Sequence, residues 1–289
     1  MRPTRAEDFS MVRKLCQFLI YSFLISLLVY VLFPIIYAFF GSFKSVEEFL
    51  RGGVQIIPRV WRYQNYVEAI LKVNFGIYTI NSMIFALASV LGILITTTMT
   101  GYILARKDFP GKKMMLGSFG AALFLTGATT LFPVVIICKY LGLLNSILGM
   151  IVVQIAWSQP IYAILAMGYC SGISKSIDES AMLDGCNSFQ IYWKVIMPII
   201  KPINATIALL SFREAWNAFM LPLAFTLTKP ELRTLAVGIV NLKDGGGEGV
   251  SAWNLMIAGT VISILPIIIV YLTMNKYFLS GLAEGAVKG

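Results

Sequence analysis

Six stretches of the chain are apolar for long enough to cross a bilayer, and shorter polar segments separate them. A helix needs about 20 apolar residues to traverse the hydrocarbon core. The first stretch, residues 17–40, carries no charge at all. It is too long for the apolar part of a cleavable signal peptide, and no small-residue cleavage site follows it, so it reads as an uncleaved span. The other five lie at residues 77–102, 114–138, 147–170, 203–227 and 253–277. Pro34, Pro133, Pro160, Pro222 and Pro266 fall inside or near the ends of these spans. In a bundle, neighbouring helices re-satisfy the backbone groups that proline frees. The pattern predicts an all-α membrane protein: residues 1–16 precede the first span, and residues 17–289 form one transmembrane domain of six helices.

Composition and charge agree with a lipid-embedded chain. Of 289 residues, 58% are hydrophobic and only 13% charged, against roughly 25% charged in soluble domains. The net charge of +9 does not point to nucleic acid, because the basic residues sit in short clusters beside apolar spans. Arg2, Arg5, Arg13 and Lys14 precede the first span, and Arg106, Lys107, Lys112 and Lys113 follow the second. Lysine and arginine near span ends mark the cytoplasmic side, so both termini are expected there. Histidine is absent, which removes the commonest general base and metal ligand. Cys16, Cys138, Cys170 and Cys186 form no CxxC pair, so neither a zinc site nor a disulfide framework is suggested.

The segment at residues 171–202, between the fourth and fifth spans, is the most informative part of the chain. Ser176 followed by Glu179 fits a capping box, with the serine as N-cap. A short helix would run to Asp184, and Gly185 suits the left-handed residue that ends it. A second helix is expected to start after Ser188 and to stop before Pro198. Its apolar residues Phe189, Tyr192, Trp193 and Ile196 would share one face. Two short helices joined by glycine make a compact knob at the membrane surface, able to enter a groove on a soluble partner. The alternative is a pair of interfacial helices that only anchor the loop.

The run Glu179-Ser180-Ala181-x-x-Asp184-Gly185, with Pro198 and Pro202 downstream, resembles the EAA loop of ATP-binding-cassette importer permeases. Ser180 stands where alanine is usual, a small-for-small change. The stretches SFREAWNAFMLPL at residues 211–223 and LRTLAVG at 232–238, and the tail at 277–289, resemble maltose-type carbohydrate permeases, in particular the shorter of their two permease subunits. The resemblance covers most of the chain from about Asn81 onward. It implies the type I importer permease fold, with residues 171–202 as the coupling-helix region that seats in a cytoplasmic ATPase. It further implies a bacterial inner-membrane location, a heterodimer with a second permease, an ATPase dimer that binds ATP and Mg, an extracytoplasmic solute-binding protein and a carbohydrate substrate. Glu179, Ser180, Ala181, Asp184 and Gly185 would then carry ATPase coupling. The tail at 278–289, with Gly285, Lys288 and Gly289, would touch the ATPase. No cofactor is expected in this chain and no catalysis. Its only Gly-Lys pair, Gly111-Lys112, is followed by Lys113 and lacks a glycine five positions earlier, so the P-loop is missing.

Charged and polar residues inside spans form the last group. A charge in hydrocarbon costs roughly 2.5 to 3.5 kcal/mol even on lenient scales. Arg213 and Glu214 lie near the middle of the fifth span. They are expected at an interface, or alternatively in an ion pair with a partner subunit. Asn81, Gln154, Trp216 and Asn217 are candidates to line a translocation path, since sugars need amide donors and acceptors and an aromatic face. The competing reading for each is interhelical glue, worth about 0.6 kcal/mol per polar contact. Neutral oligosaccharides and acidic ones, such as alginate-type uronate oligomers, both stand as substrates. A secondary transporter or channel would need its own coupling-ion site, for which only Glu214 qualifies.

Overall fold

The computed structural model describes residues 5–51, 55–125, 127–243 and 252–286, with backbone alone for 5–12, 50 and 274–286. Every regular element among the described residues is helical. Helix α1 (Arg5–Gly41) is followed by α2 (Val46–Leu50), α3 (Gln64–Lys72) and α4 (Phe75–Arg106). The third stretch forms α5 (Lys112–Ala122) and α6 (Gly127–Tyr140) rather than one rod. Then come α7 (Ile147–Ser171), α8 (Lys175–Leu183), α9 (Ser188–Gln190), a π-helical turn over Ile191–Ile196 and α10 (Met197–Ile199). The remainder is α11 (Lys201–Trp216), α12 (Met220–Phe225), a 3₁₀ turn over Pro230–Leu232, α13 (Leu235–Leu242) and α14 (Trp253–Ala286). Four helices are individually long and apolar enough to cross a membrane, and up to six spans result when each bent helix pair counts as one.

One expectation about the spans is corrected here. The fifth does not run unbroken to residue 227: α11 ends at Trp216, with Asn217 as C-cap, and the chain restarts as α12 at Met220. Pro222 explains the break, because its ring would clash with the carbonyl four residues earlier, at Ala218. Helix α14 covers the expected sixth span and continues through Gly281 and Gly285 to Ala286.

The chain divides into two compact units. The first comprises residues 1–69 and 242–262. Its packing centres on Phe43, whose ring meets those of Phe39, Trp61, Tyr63 and Tyr66 at centroid distances of 5.1–5.5 Å. Asn65 is buried there and donates to the Ser42 and Lys44 carbonyls at 2.7 and 2.9 Å, while accepting from Asn254 at 3.0 Å. Among the described residues, the most apolar stretch of α1 is not buried.

The second unit comprises residues 70–241 and 263–289. It is built on the pair α4 and α7. Lipid tails are as apolar as leucine, so helices in a membrane associate by close packing rather than by escape from water. Gly101 supplies that closeness. A Cβ there would stand 2.6 Å from the Ala166 Cβ and 2.7 Å from the Met167 nitrogen. The core continues through Ile93, Tyr162 and Cys170 to Ile191, Ile196 and Ile207, all buried.

Candidate coupling site

Residues 171–202 fold into two short helices at the Arg106 end of α4. The N-cap of α8 is Ser174, not Ser176: the Ser174 hydroxyl accepts from the Ser176 N–H at 3.3 Å. No capping box forms there, because the third helical residue is Ile177, and Glu179 is left exposed instead of being spent on a cap. The capping box belongs to the next helix. Asn187 accepts from the Gln190 N–H and the Gln190 side chain accepts from the Asn187 N–H, both at 2.9 Å.

Helix α8 ends in a full Schellman motif. Gly185 has φ +81°, its N–H donates to the Met182 carbonyl, and the Cys186 N–H donates to the Ala181 carbonyl, each at 3.0 Å. These are the two bonds the motif requires. The glycine is needed for its backbone angle alone, since a Cβ would meet nothing within 4 Å.

The second helix does not stop before Pro198. It passes through the π turn and takes Pro198 into α10. The segment Ser188–Ile199 is bent by 80° from α11. The wider π turn also shifts the side-chain phase, so the expected apolar face is split. Ile191, Tyr192 and Ile196 point inward, while Phe189 and Trp193 remain 62% and 37% exposed.

The resulting knob has a distinct outer surface. Ala181 is buried beneath it, and Glu179, Ser180, Asp184 and Gly185 are exposed. Leu183 is 90% exposed and Met182 48%. Apolar side chains thus stand beside two exposed carboxylates, Glu179 and Asp184, on a capped turn. The described residues hold no group of acids and cysteines able to bind a metal. In the loop before α5, Lys112 donates to Asp108 at 2.8 Å and holds that carboxyl below its ordinary range.

Sequence reasoning missed what fastens the knob. Asp178, one residue before Glu179, is buried and faces α4. Its Oδ2 lies 3.0 Å from the Arg106 Nε, and its Oδ1 accepts from the Tyr102 hydroxyl at 2.5 Å. Thr98 and Tyr192 share a hydrogen bond at 2.5 Å. The available signal was the polar series Thr98, Tyr102, Arg106, spaced by four and hence on one face of α4.

The residues expected along a path are not gathered in one place. Asn81 is buried and its amide donates to the Glu231 and Arg233 carbonyls at 2.8 and 3.0 Å, so it staples the turn before α13. Ser82 accepts from the Leu235 N–H at 2.7 Å beside it. Gln154 is buried on α7 and reaches Ser158 only at 3.5 Å. The Trp216 indole is buried, stacks on Phe212 and donates to the Ser263 carbonyl at 3.1 Å. Asn217 is exposed at the helix break, its amide bonded to the Arg213 carbonyl at 3.0 Å. Arg213 is exposed, and Glu214 is half-buried near the Tyr162 hydroxyl. Gly285 lies in the helical part of the tail; Lys288 and Gly289 fall outside the described residues.

Several membrane-crossing helices, with a glycine-capped turn between two of them, define the class of polytopic helical membrane proteins. Comparison with known proteins places the chain within that class. It is 33% identical to the probable ABC transporter permease protein YurM of Bacillus subtilis, over 93% of this chain and 88% of that protein. It is 31% identical to the arabinooligosaccharides transport system permease protein AraQ of the same organism, over 96% of this chain and the whole of that protein. A solved bacterial ABC transporter, involved in the import of the acidic polysaccharide alginate, contains a chain that matches with a TM-score of 0.75 and 25% identity, covering 96% of this chain and 99% of that one. No protein-family model matches. The chain belongs to the ABC transporter permeases, in the group that includes AraQ, GanQ and AmyC. It is a multi-pass membrane protein of a bacterial carbohydrate importer and is not itself catalytic.

Proposed function

We propose that this chain is one of two permeases in an inner-membrane importer, and that residues 171–202 seat in a cytoplasmic ATPase dimer that binds ATP and Mg. The observation that carries the reading is the outer face of the knob. Leu183 and Phe189 stand in the open on a turn held by a Schellman motif and a capping box. Exposed apolar groups on a rigid support gain by burial in a partner. Both termini lie in the cytoplasm under this reading, and the tail beyond residue 278, including Gly285, Lys288 and Gly289, contacts the same ATPase. A solute-binding protein delivers the carbohydrate on the opposite side. A benzophenone maleimide attached to a cysteine at Leu183 should photocrosslink to the ATPase in the intact complex, and lack of crosslinking from 183 and from 189 alike would refute the docking.

The relatives transport arabinooligosaccharides and galactooligosaccharides by name, which supports an oligosaccharide substrate. The alginate transporter and the exposed cation of Arg213 in the fifth span favour an acidic one as a second reading. Asn217, at the helix break, is the member of the Asn81, Gln154, Trp216 and Asn217 set that is exposed for a path. A helix entering near Ile203 rises about 1.5 Å per residue, which puts Arg213 to Asn217 roughly 15 to 21 Å deep. That is close to the midplane of a core about 30 Å thick, where transporters hold substrates. Failure of the complete transporter to take up a uronate oligomer would remove the acidic reading, and uptake that survives Arg213→Gln unchanged would remove Arg213 from it.

A further inference from the structure

Helix α4 is fastened to other elements at both ends by polar side chains. At one end Thr98, Tyr102 and Arg106 share a face and reach both helices of the knob: Tyr192 in the π turn, and Asp178 in α8. The Arg106 guanidinium also lies 3.5 Å from the carbonyl of Ser174, the N-cap of α8. At the other end Asn81 and Ser82 hold the turn at 231–235 through three hydrogen bonds. A 32-residue helix is about 48 Å long, so one rigid element joins the docking knob to a turn on the far side of the membrane.

The Asp178–Arg106 pair is the part of this arrangement that packing alone does not explain. The two side chains are only 9% and 5% exposed. Desolvating two charges offsets most of their attraction, and apolar residues of similar size would stabilise the fold as well. An ion pair with a directed hydroxyl does what apolar contacts cannot: it fixes one register between two helices and resists sliding. We propose that Asp178 is a positioning residue for coupling, acting through Arg106 and Tyr102. It locks the knob to α4, so that displacement of the knob carries α4 and the turn at 231–235 with it. The proposal rests on the knob's docking to the ATPase.

The test uses the complete transporter in proteoliposomes, with Glu231→Cys as an exposed reporter in the far turn and a membrane-impermeant maleimide as the probe, over the background of the native cysteines. With Asp178 intact, the labelling rate should change about fivefold or more between the ATP-free and vanadate-trapped states, the lower end of common allosteric couplings. In Asp178→Asn the ratio should fall toward one when compared at equal trapped nucleotide. An unchanged ratio, with nucleotide trapped, overturns the proposal. Should Asp178→Asn fail to assemble, Tyr102→Phe decides, since it removes one hydroxyl: a reduced ratio supports the role and an unchanged one overturns it. If the parent complex binds no ATPase, the docking reading fails and this one with it; an unchanged ratio with the ATPase bound removes this one alone.

Discussion

Replacing Gly185 isolates the contribution of one backbone angle to ATPase docking. The residue sits at φ +81°, and no neighbour lies within 4 Å of where a Cβ would be. The cost of a side chain is therefore conformational and local. For alanine, the left-handed region costs about 1–2 kcal/mol, which reduces the population of the capped turn by about 5–30-fold. Valine should cost more, because a β-branched side chain is a severe outlier at positive φ. Asparagine visits this region readily and should cost least. Without the cap, the Gly185 and Cys186 N–H groups no longer hold the Met182 and Ala181 carbonyls, and the turn that joins α8, with Leu183, to α9, with Phe189, is no longer fixed. The assay is the apparent affinity of the purified ATPase for the reconstituted permease pair. The order should be glycine, asparagine, alanine, valine, with the alanine variant weaker by about the same 5–30-fold. Membrane insertion should be unaffected. Valine equal to glycine, or asparagine as poor as valine, would refute the claim that the left-handed cap sets the docking surface.

Other consequences are independent of Gly185. Gly101→Leu should force α4 from α7, since even a Cβ would meet Ala166 at 2.6 Å; overpacking of this kind costs about 1–3 kcal/mol, read as a lowered unfolding midpoint in detergent. Asn217→Cys, with the native cysteines replaced, should be labelled by a water-soluble thiol reagent in one of the ATP-free and ATP-trapped states and protected by substrate. Absence of labelling in both states would remove Asn217 from the path. Truncation after Ser280 should weaken ATPase retention on purification more than membrane insertion, and full retention would leave the tail as a solvated end.

The spans were legible because lipid demands a long uncharged run, and 17–40, 77–102 and 147–170 lie within α1, α4 and α7. The break at Asn217 was not, although Pro222 carried its cause: several other prolines sit inside unbroken helices here, including Pro34, Pro160 and Pro266. Gly185 was legible because a left-handed cap selects for glycine. The serine cap was misplaced by two residues because Ser174 and Ser176 offer the same chemistry, and only Ser174 lies outside the helix. The face of the second helix was misread because a π turn has no residue-level mark, and it changed the period on which the pattern depended. Asp178 was passed over because burial of a carboxylate is set by Arg106 and Tyr102, which lie more than seventy positions away in the chain.

The central claim is that this permease moves a carbohydrate by energy taken from a separate ATPase. Its most direct test is uptake into proteoliposomes holding both permeases, the ATPase and the binding protein, with labelled arabinooligosaccharides, galactooligosaccharides and alginate oligomers as probes. The account predicts accumulation of at least one probe that requires ATP on the ATPase side and persists when ionophores collapse every ion gradient. Uptake that proceeds without ATP, or that stops when the gradients are collapsed while ATP is present, would contradict it.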